Sequence, residues 1–254
     1  MSFFGAGQDL WIRRLGNLRN VIRQEIIGRQ LAPLVDHGMS VLDVGCGQGT
    51  LAIRLASAGC RVTGVDPSAE FLQICAEQAS SENVAVELML GGIEDIGDLL
   101  EGRRFDLVCC HGVMMYLEER APALTNLAGC LAAEGRLSVT FRNAHALAMR
   151  PGLRHDWASA LSAFTSDRYT NELGLATRAD RIGDVETALD SAGLRLVSWA
   201  GVRVFNDATD PETVPPPAEE LALLLDTEEL AGTTDPYRWM ASQLHVIAEP
   251  LPSV

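Results

Sequence analysis

Val41-Leu-Asp-Val-Gly-Cys-Gly-Gln-Gly-Thr50 is a short apolar run that breaks into three alternating glycines, Gly45, Gly47 and Gly49, and leads into a helical stretch. Glycines after a strand let the chain turn tightly and let a ligand approach the backbone closely. The spacing is Gly-x-Gly-x-Gly, which differs from the Gly-x-Gly-x-x-Gly of a dinucleotide site, and no Gly-Lys-Ser/Thr follows, so the stretch is not a P-loop. Asp43 precedes the first glycine, at a position that is usually apolar in dinucleotide sites. The next apolar run ends Val62-Thr-Gly-Val-Asp66-Pro67, and a carboxylate at the end of a second strand suits two ribose hydroxyls.

Working outward, Val41–Gly45, Arg61–Val65, Val84–Leu90, Phe105–Cys110 and Arg136–Phe141 read as strands, with helices over Thr50–Ala58, Ala69–Ala79 and Ala121–Ala132. Near-continuous apolar strands alternating with helices indicate an α/β protein with a parallel sheet covered on both faces. Ser68 is placed to cap the helix that follows it. Further on, a helix is expected at Asp184–Ala192 and strands at Leu194–Phe205 and Leu244–Glu249.

Before the first strand, Leu15–Leu34 has apolar residues at helical spacing, and Arg19, Arg23 and Arg29 follow Arg13 and Arg14 on the other face. That face reads either as solvated or as the edge of an anion site. Residues 143–180 interrupt the alternation with Trp157, Phe164 and Tyr169 and no evident strand, as an inserted lid does. Residues 206–235 hold nine acidic and no basic residues and include Pro215-Pro216-Pro217, which reads as a solvated excursion, partly helical around Glu219–Leu225. The expected division is an N-terminal helical cap (1–36), a cofactor-binding core (37–142), a lid insertion (143–180) and the remainder of the core (181–254).

The 254-residue chain carries a net charge of −14, and all 20 of its basic residues are arginine. Such a surface repels polyanions and argues against non-specific nucleic-acid binding. The six cysteines, at 46, 60, 75, 109, 110 and 130, form no Cys-x-x-Cys pair and no zinc spacing, so they read as reduced core residues and no metal site is expected. With no long apolar run and no secretory leader in the sequence, a cytoplasmic chain away from membranes is expected.

The glycine loop with Asp43, the Asp66 strand end, Gly92-Ile-Glu-Asp95 and His111 after Phe105-Asp-Leu-Val-Cys-Cys110 together resemble the class I S-adenosylmethionine-dependent methyltransferases over residues 37–142. The resemblance implies a Rossmann-like, doubly wound, seven-stranded sheet with its last strand antiparallel. It implies that Asp43 lies near the methionine part of S-adenosylmethionine, and that Gly45, Cys46 and Gly47 line the cofactor through their backbone. In the same pattern Asp66, followed by Pro67, holds the ribose, Ile93 packs on adenine, and Glu94 or Asp95 meets the exocyclic amine. His111 would then face the sulfur, although a purely structural histidine fits the residue alone equally simply.

Phe141-Arg-Asn-Ala-His-Ala-Leu147, Gly201-Val-Arg-Val-Phe-Asn-Asp207 and Leu244-His-Val-Ile-Ala248 look like the bacterial tRNA 5-carboxymethoxyuridine methyltransferases, which esterify a carboxylate on a wobble uridine. Asn17-Leu-Arg19-Asn resembles that family's N-terminal element, whose Arg meets the cofactor carboxylate. The chain departs from the pattern at Arg142, where the family has an aromatic, and in its acidic C-terminal excursion. A carboxylate acceptor calls for a two-pronged positive clamp, for which Arg142 and Arg203 are candidates, with His145 as base or orienter. Aligning nucleophile, methyl and sulfur can supply about 7–11 kcal/mol. The expectation is methyl transfer to an oxygen of a small organic acceptor. The alternatives are a tRNA acceptor and a cofactor-binding scaffold without catalysis.

Overall fold

A computed structural model describes residues 16–252. Arg13, Arg14 and Leu15, and with them the start of the expected N-terminal cap, lie outside the described residues. In chain order the elements are helix α1 (Leu18–Leu31), β1 (Ser40–Val44), α2 (Thr50–Ser57), β2 (Arg61–Asp66), α3 (Ala69–Ser81), β3 (Val86–Leu90), a short α4 (Ile96–Leu99), β4 (Phe105–Cys110), α5 (Arg120–Gly129) and β5 (Leu131–Arg142). There follow α6 (Met149–Leu153), α7 (Trp157–Ser162), β6 (Arg168–Thr170), β7 (Ala176–Arg178), α8 (Ile182–Ser191), β8 (Leu194–Val202), α9 (Ala218–Thr233) and β9 (Gln243–Pro250).

Among the described residues seven strands form one sheet in the order β3-β2-β1-β4-β5-β9-β8. Strands β1 to β5 pair in parallel, and β9 runs antiparallel between β5 and β8. The period of two along a strand explains why these runs are apolar throughout. Leu42, Val44, Val108 and Cys110 point into the half of the core that holds Leu124, Leu127, Val185 and Leu189 of α5 and α8. Their neighbours Val41, Leu107 and Cys109 point the other way, onto Ile22 and Ile26 of α1 and Leu55 of α2. All six cysteines are reduced and buried.

Local signals account for the helix starts. The Asn17 side chain accepts the Asn20 amide at the head of α1, and Ser68 Oγ accepts the Phe71 amide at the head of α3. The expected helix Ala121–Ala132 ends at Gly129 and the expected strand Leu194–Phe205 at Val202, and two further segments differ more from the sequence expectation. Residues 143–180 contain a hairpin, β6–β7, whose turn is held by Asn171 Oδ1 accepting the amides of Leu173 and Leu175. Its strands are three residues long, too short for a period of two to register. The acidic stretch is less solvated than expected. Helix α9 packs on α1 and β8, burying Leu225, Ala231 and Glu228. The buried Glu228 carboxylate accepts the amides of Val204, Phe205 and Asn206 at 2.6–3.1 Å. It thereby satisfies three turn amides that have no backbone acceptor among the described residues.

Candidate active site

At the carboxyl end of β1 the chain leaves the sheet through Gly45 (φ 74°), Gly47 (φ 55°) and Gly49 (φ 87°). The amides of Gly45 and Cys46 both donate to Val65 O at the end of β2, which ties the loop to the neighbouring strand. A Cβ on Gly45 would run into the Val113 side chain, whereas a Cβ on Gly47 would meet nothing within 4 Å. Gly47 therefore leaves open space beside its backbone, facing a cavity of about 960 Å³, within the size range of cofactor sites.

The loop and the second strand meet at Asp66. Its Oδ2 accepts the Gly47 amide at 2.8 Å and its Oδ1 accepts the Ser68 amide at 2.9 Å. Burial nevertheless raises this carboxyl above its usual range, against the pull of those two amides. Asp43, buried at the end of β1, is pushed up to about 7, first by loss of water and then by the charge of Asp66. Two carboxyls thus share a site, and neither has a cation among the causes of its shift.

Asp43, Gly45, Cys46, Gly47, Asp66, Pro67, Ile93, Glu94, Asp95 and His111 all line this one cavity. Asp95 Oδ2 is taken by the Gly92 amide at 2.8 Å. The Cys46 thiol is held protonated by burial and by the nearby Asp43 and Asp66. Arg19, Arg142, His145 and Arg203 do not line it. Arg142 ends β5, His145 follows it, Arg203 follows β8, and Arg19 of α1 joins the two arginines at Asp207.

The organising group of this second cluster is Asp207. Arg142 Nη2 reaches Asp207 Oδ2 at 3.1 Å, Arg150 reaches Oδ1 at 2.6 Å, and Arg203 reaches Oδ1 at 3.3 Å. Asp207 is held well below the usual carboxylate range because three guanidinium charges outweigh its burial. Arg203, buried among Arg150, Arg142 and Arg19, falls to about 9. Arg19 donates to the Asp207 carbonyl and to Glu172 in the hairpin turn, which Arg154 also holds. Arg142 stacks on the Tyr169 ring at 5.6 Å. The His145 ring meets Trp239 edge-on at 5.6 Å, and Asn143 donates to the carbonyls of Trp239 and Ala241.

To four groups of consequence the sequence alone gives no individual role, although Arg23 belongs to the arginine face read as a possible anion edge. Arg23 is one turn beyond Arg19 on α1, lines the cavity and is buried enough for its pKa to fall. The i, i+4 spacing from Arg19 was the available signal. Tyr116 lines the cavity and is pushed up to about 12 by burial, its oxygen accepting from Asn171 at 3.2 Å. Asp207 and His245 lie inside the stretches Gly201–Asp207 and Leu244–Ala248 that carry the resemblance, but the sequence gives neither a role of its own. Their importance comes from partners far along the chain.

A doubly wound sheet with a glycine loop and a strand-end carboxylate over one cavity is the arrangement of the α/β proteins that bind nucleoside cofactors. A family model described as a methyltransferase domain matches residues 41–135. The ubiquinone biosynthesis O-methyltransferase of Alkalilimnicola ehrlichii is 30% identical over 194 residues, covering 69% of this chain and 77% of that protein. The tRNA 5-carboxymethoxyuridine methyltransferase of Escherichia coli K12 is 27% identical over 238 residues, covering 92% of this chain and 88% of the relative. The magnesium protoporphyrin IX methyltransferase of Synechocystis PCC 6803, with bound SAH, shares the fold with a TM-score of 0.65 at 19% identity, over 97% of this chain and 95% of that one.

The chain belongs to the class I S-adenosylmethionine-dependent methyltransferases; it is an enzyme, and its cofactor is S-adenosylmethionine. The cavity suits that cofactor in its volume, in the open space beside Gly47, and in the two carboxyls that a cationic ligand would balance. Among the described residues no helix is long and apolar enough to cross a membrane.

Proposed function

We propose that the enzyme methylates an oxygen, of a hydroxyl or a carboxylate, on a small organic acceptor. The observation that carries this reading is the single cavity lined both by the Asp43–Asp66 cofactor end and by Arg23, His111 and Tyr116. Bound there, the cofactor supplies a methyl group already activated by a positive sulfur. In this reading Asp66 accepts two ribose hydroxyls, Ile93 packs against adenine, and Glu94, rather than the amide-bound Asp95, accepts from the exocyclic amine. Gly45, Cys46 and Gly47 present backbone to the methionine part, whose ammonium and sulfonium are balanced by Asp43. Arg23 replaces Arg19 as the partner of its carboxylate, because Arg19 is spent on Glu172 and Asp207. The segment 143–180 acts as a lid, with Asn171 donating to Tyr116 on the cavity wall.

The residue assignment is tested by Asp66→Asn. Losing one charged acceptor is worth about 1.5–3 kcal/mol, so calorimetry with S-adenosylhomocysteine should show affinity falling by roughly ten- to a hundredfold. Wild-type affinity in this variant would remove Asp66 from the site.

A second reading is a tRNA wobble-uridine acceptor, favoured by the E. coli relative that spans most of the chain. Supporting the small acceptor against it are the net charge of −14 and the spending of Arg142, Arg150 and Arg203 on Asp207 instead of on an open basic surface. In the small-acceptor reading Arg142, Arg203 and His145 frame the acceptor side, reached when the hairpin lifts. Radiolabelled methyl offered to bulk tRNA and to a small-metabolite extract separates the two. Label is expected in the extract, and label in RNA alone would reverse the preference.

A further inference from the structure

A chain of hydrogen-bonded polar groups runs along the α1 face of the sheet to the cavity. Gln30 of α1 sits against His245 of β9, with Oε1 2.6 Å from His245 Nδ1. His245 Nε2 is 2.7 Å from Ser138 Oγ on β5, and Ser138 Oγ is 2.8 Å from His111 Nε2 just beyond β4. Ser138 is fully buried and His245 nearly so. The turn at the cavity end is pinned by the Gly112 amide donating to Thr140 Oγ1 at 2.9 Å.

The direction of every proton in this chain follows from one end. Gln30 Nε2 faces the carbonyl of Gly201 at 3.5 Å, and a carbonyl can only accept, so the amide nitrogen lies on that side. The Gln30 oxygen therefore faces His245, and Nδ1 of His245 must carry the proton. Burial keeps His245 neutral, its pKa lowered to about 4, so its Nε2 is a bare lone pair. Ser138 must donate its one hydroxyl proton there. Its oxygen is left to accept, and among the described residues the group placed to donate is the Nε2–H of His111. His111 is likewise held neutral by burial, so its Nδ1 has no proton. Nδ1 makes no hydrogen bond among the described residues, and the residue lines the cavity.

We infer that Gln30, His245 and Ser138 are positioning residues that lock His111 in its Nε2–H tautomer, so that the cavity is offered a lone pair suited to an acceptor hydroxyl. The inference rests on the proposed methyl transfer and narrows it. An ionised carboxylate would set its own lone pairs against Nδ1, whereas a hydroxyl donates to it. As the hydroxyl oxygen forms the new oxygen–carbon bond, its proton passes to Nδ1. The electron pair of the broken carbon–sulfur bond stays on sulfur, and the positive charge passes from sulfur to the imidazole. A positioned general base contributes typically about 10²–10⁴-fold to such a step, and because burial holds the His111 pKa well below its ordinary value, the lone pair is free at neutral pH.

Nitrogen-15 NMR of histidine-labelled protein at pH 7 reads the tautomers directly. The expected spectrum shows His111 with a pyrrole-type Nε2 and a pyridine-type Nδ1, and His245 with the reverse. Gln30→Leu and Ser138→Ala should each turn the His111 signals into a tautomer mixture while leaving S-adenosylhomocysteine affinity at its wild-type value. A pyrrole-type Nδ1 or an imidazolium in wild-type His111 would overturn the inference, as would no change in either variant. The wild-type spectrum decides the tautomer even if a variant fails to fold.

The labelled product from the metabolite extract gives a second readout. Methyl ethers survive mild alkali, and methyl esters release methanol. Alkali-stable label is expected, and released methanol would overturn the hydroxyl assignment. No label in any pool would instead count against the proposed methyl transfer, with the tautomer result standing apart from it.

Discussion

Replacing Asp43 with Asn is expected to stabilise the ligand-free enzyme at pH 8 and to weaken its grip on S-adenosylmethionine. The carboxyl is raised from an ordinary 3.8 to about 7 by burial and by Asp66. A pKa unit is worth about 1.4 kcal/mol, so the ionised form costs the fold about 4 kcal/mol. Because the folded pKa lies above the unfolded one, this contribution favours the fold fully below about 4. It is lost as pH rises through about 7 and stays lost above that. Thermal melts should therefore find wild type and Asp43→Asn similar in mild acid, with the variant higher by several degrees at pH 8. Binding runs the other way. Wild-type affinity for the cationic cofactor should climb across pH 6–8 as Asp43 ionises, and the variant should show a weaker, flat profile. A variant that melts like wild type at pH 8 would mean that Asp43 is not strained in the free enzyme.

Asp207→Ala is expected to be the most damaging single change outside the hydrophobic core. It leaves Arg142, Arg150 and Arg203 buried beside one another without the carboxylate they share. Breaking a buried pair from one side typically costs about 3–5 kcal/mol, because a charge is stranded away from water. For a chain of this size that corresponds to a fall of roughly 6–20 °C in melting temperature. Asp207→Asn should follow it in direction, since an amide keeps the shape and loses the charge. The depressed Asp207 pKa gives stability that is present above the ordinary carboxylate range and is lost as pH falls through its folded value. Wild type should thus lose stability in acid that the Asn variant never had. A melting temperature within a degree or two of wild type would show the cluster to be hydrated and the arginines independent of it.

The contrast between these residues explains how much of the molecule the sequence discloses. Asp43 and Asp66 are legible because they adjoin backbone with rare requirements. Three glycines at positive φ between a strand and a helix announce a ligand loop, and a carboxylate closing the next strand announces what the loop faces. The sheet is legible because both its faces are covered, so its strands stand out as unbroken apolar runs. Ile93 and His111 follow from their place after those strands.

Asp207 is a different case. It closes the Gly201–Asp207 motif, but its partners come from positions 142, 150 and 203, and nothing in the motif shows that it gathers them. Arg142 and Arg203 were legible as arginines near strand ends, but their pairing is a long-range fact. The assignment of Arg19 instead of Arg23 differs by one helical turn, and only the packed helix decides which of the two lines the cavity. Ser138 and His245 sit on separate strands, where composition carries no trace of their meeting.

The burial of all six thiols gives the enzyme an intrinsic reporter of its own breathing. Thiolate is the form that reacts with alkylating reagents, and it is suppressed here by lack of water at Cys46, Cys75 and Cys110. Modification then proceeds only as fast as the surrounding structure opens, so its kinetics map local unfolding element by element. Cys46 stands in the glycine loop itself, which makes its rate of alkylation a direct gauge of whether that loop is covered.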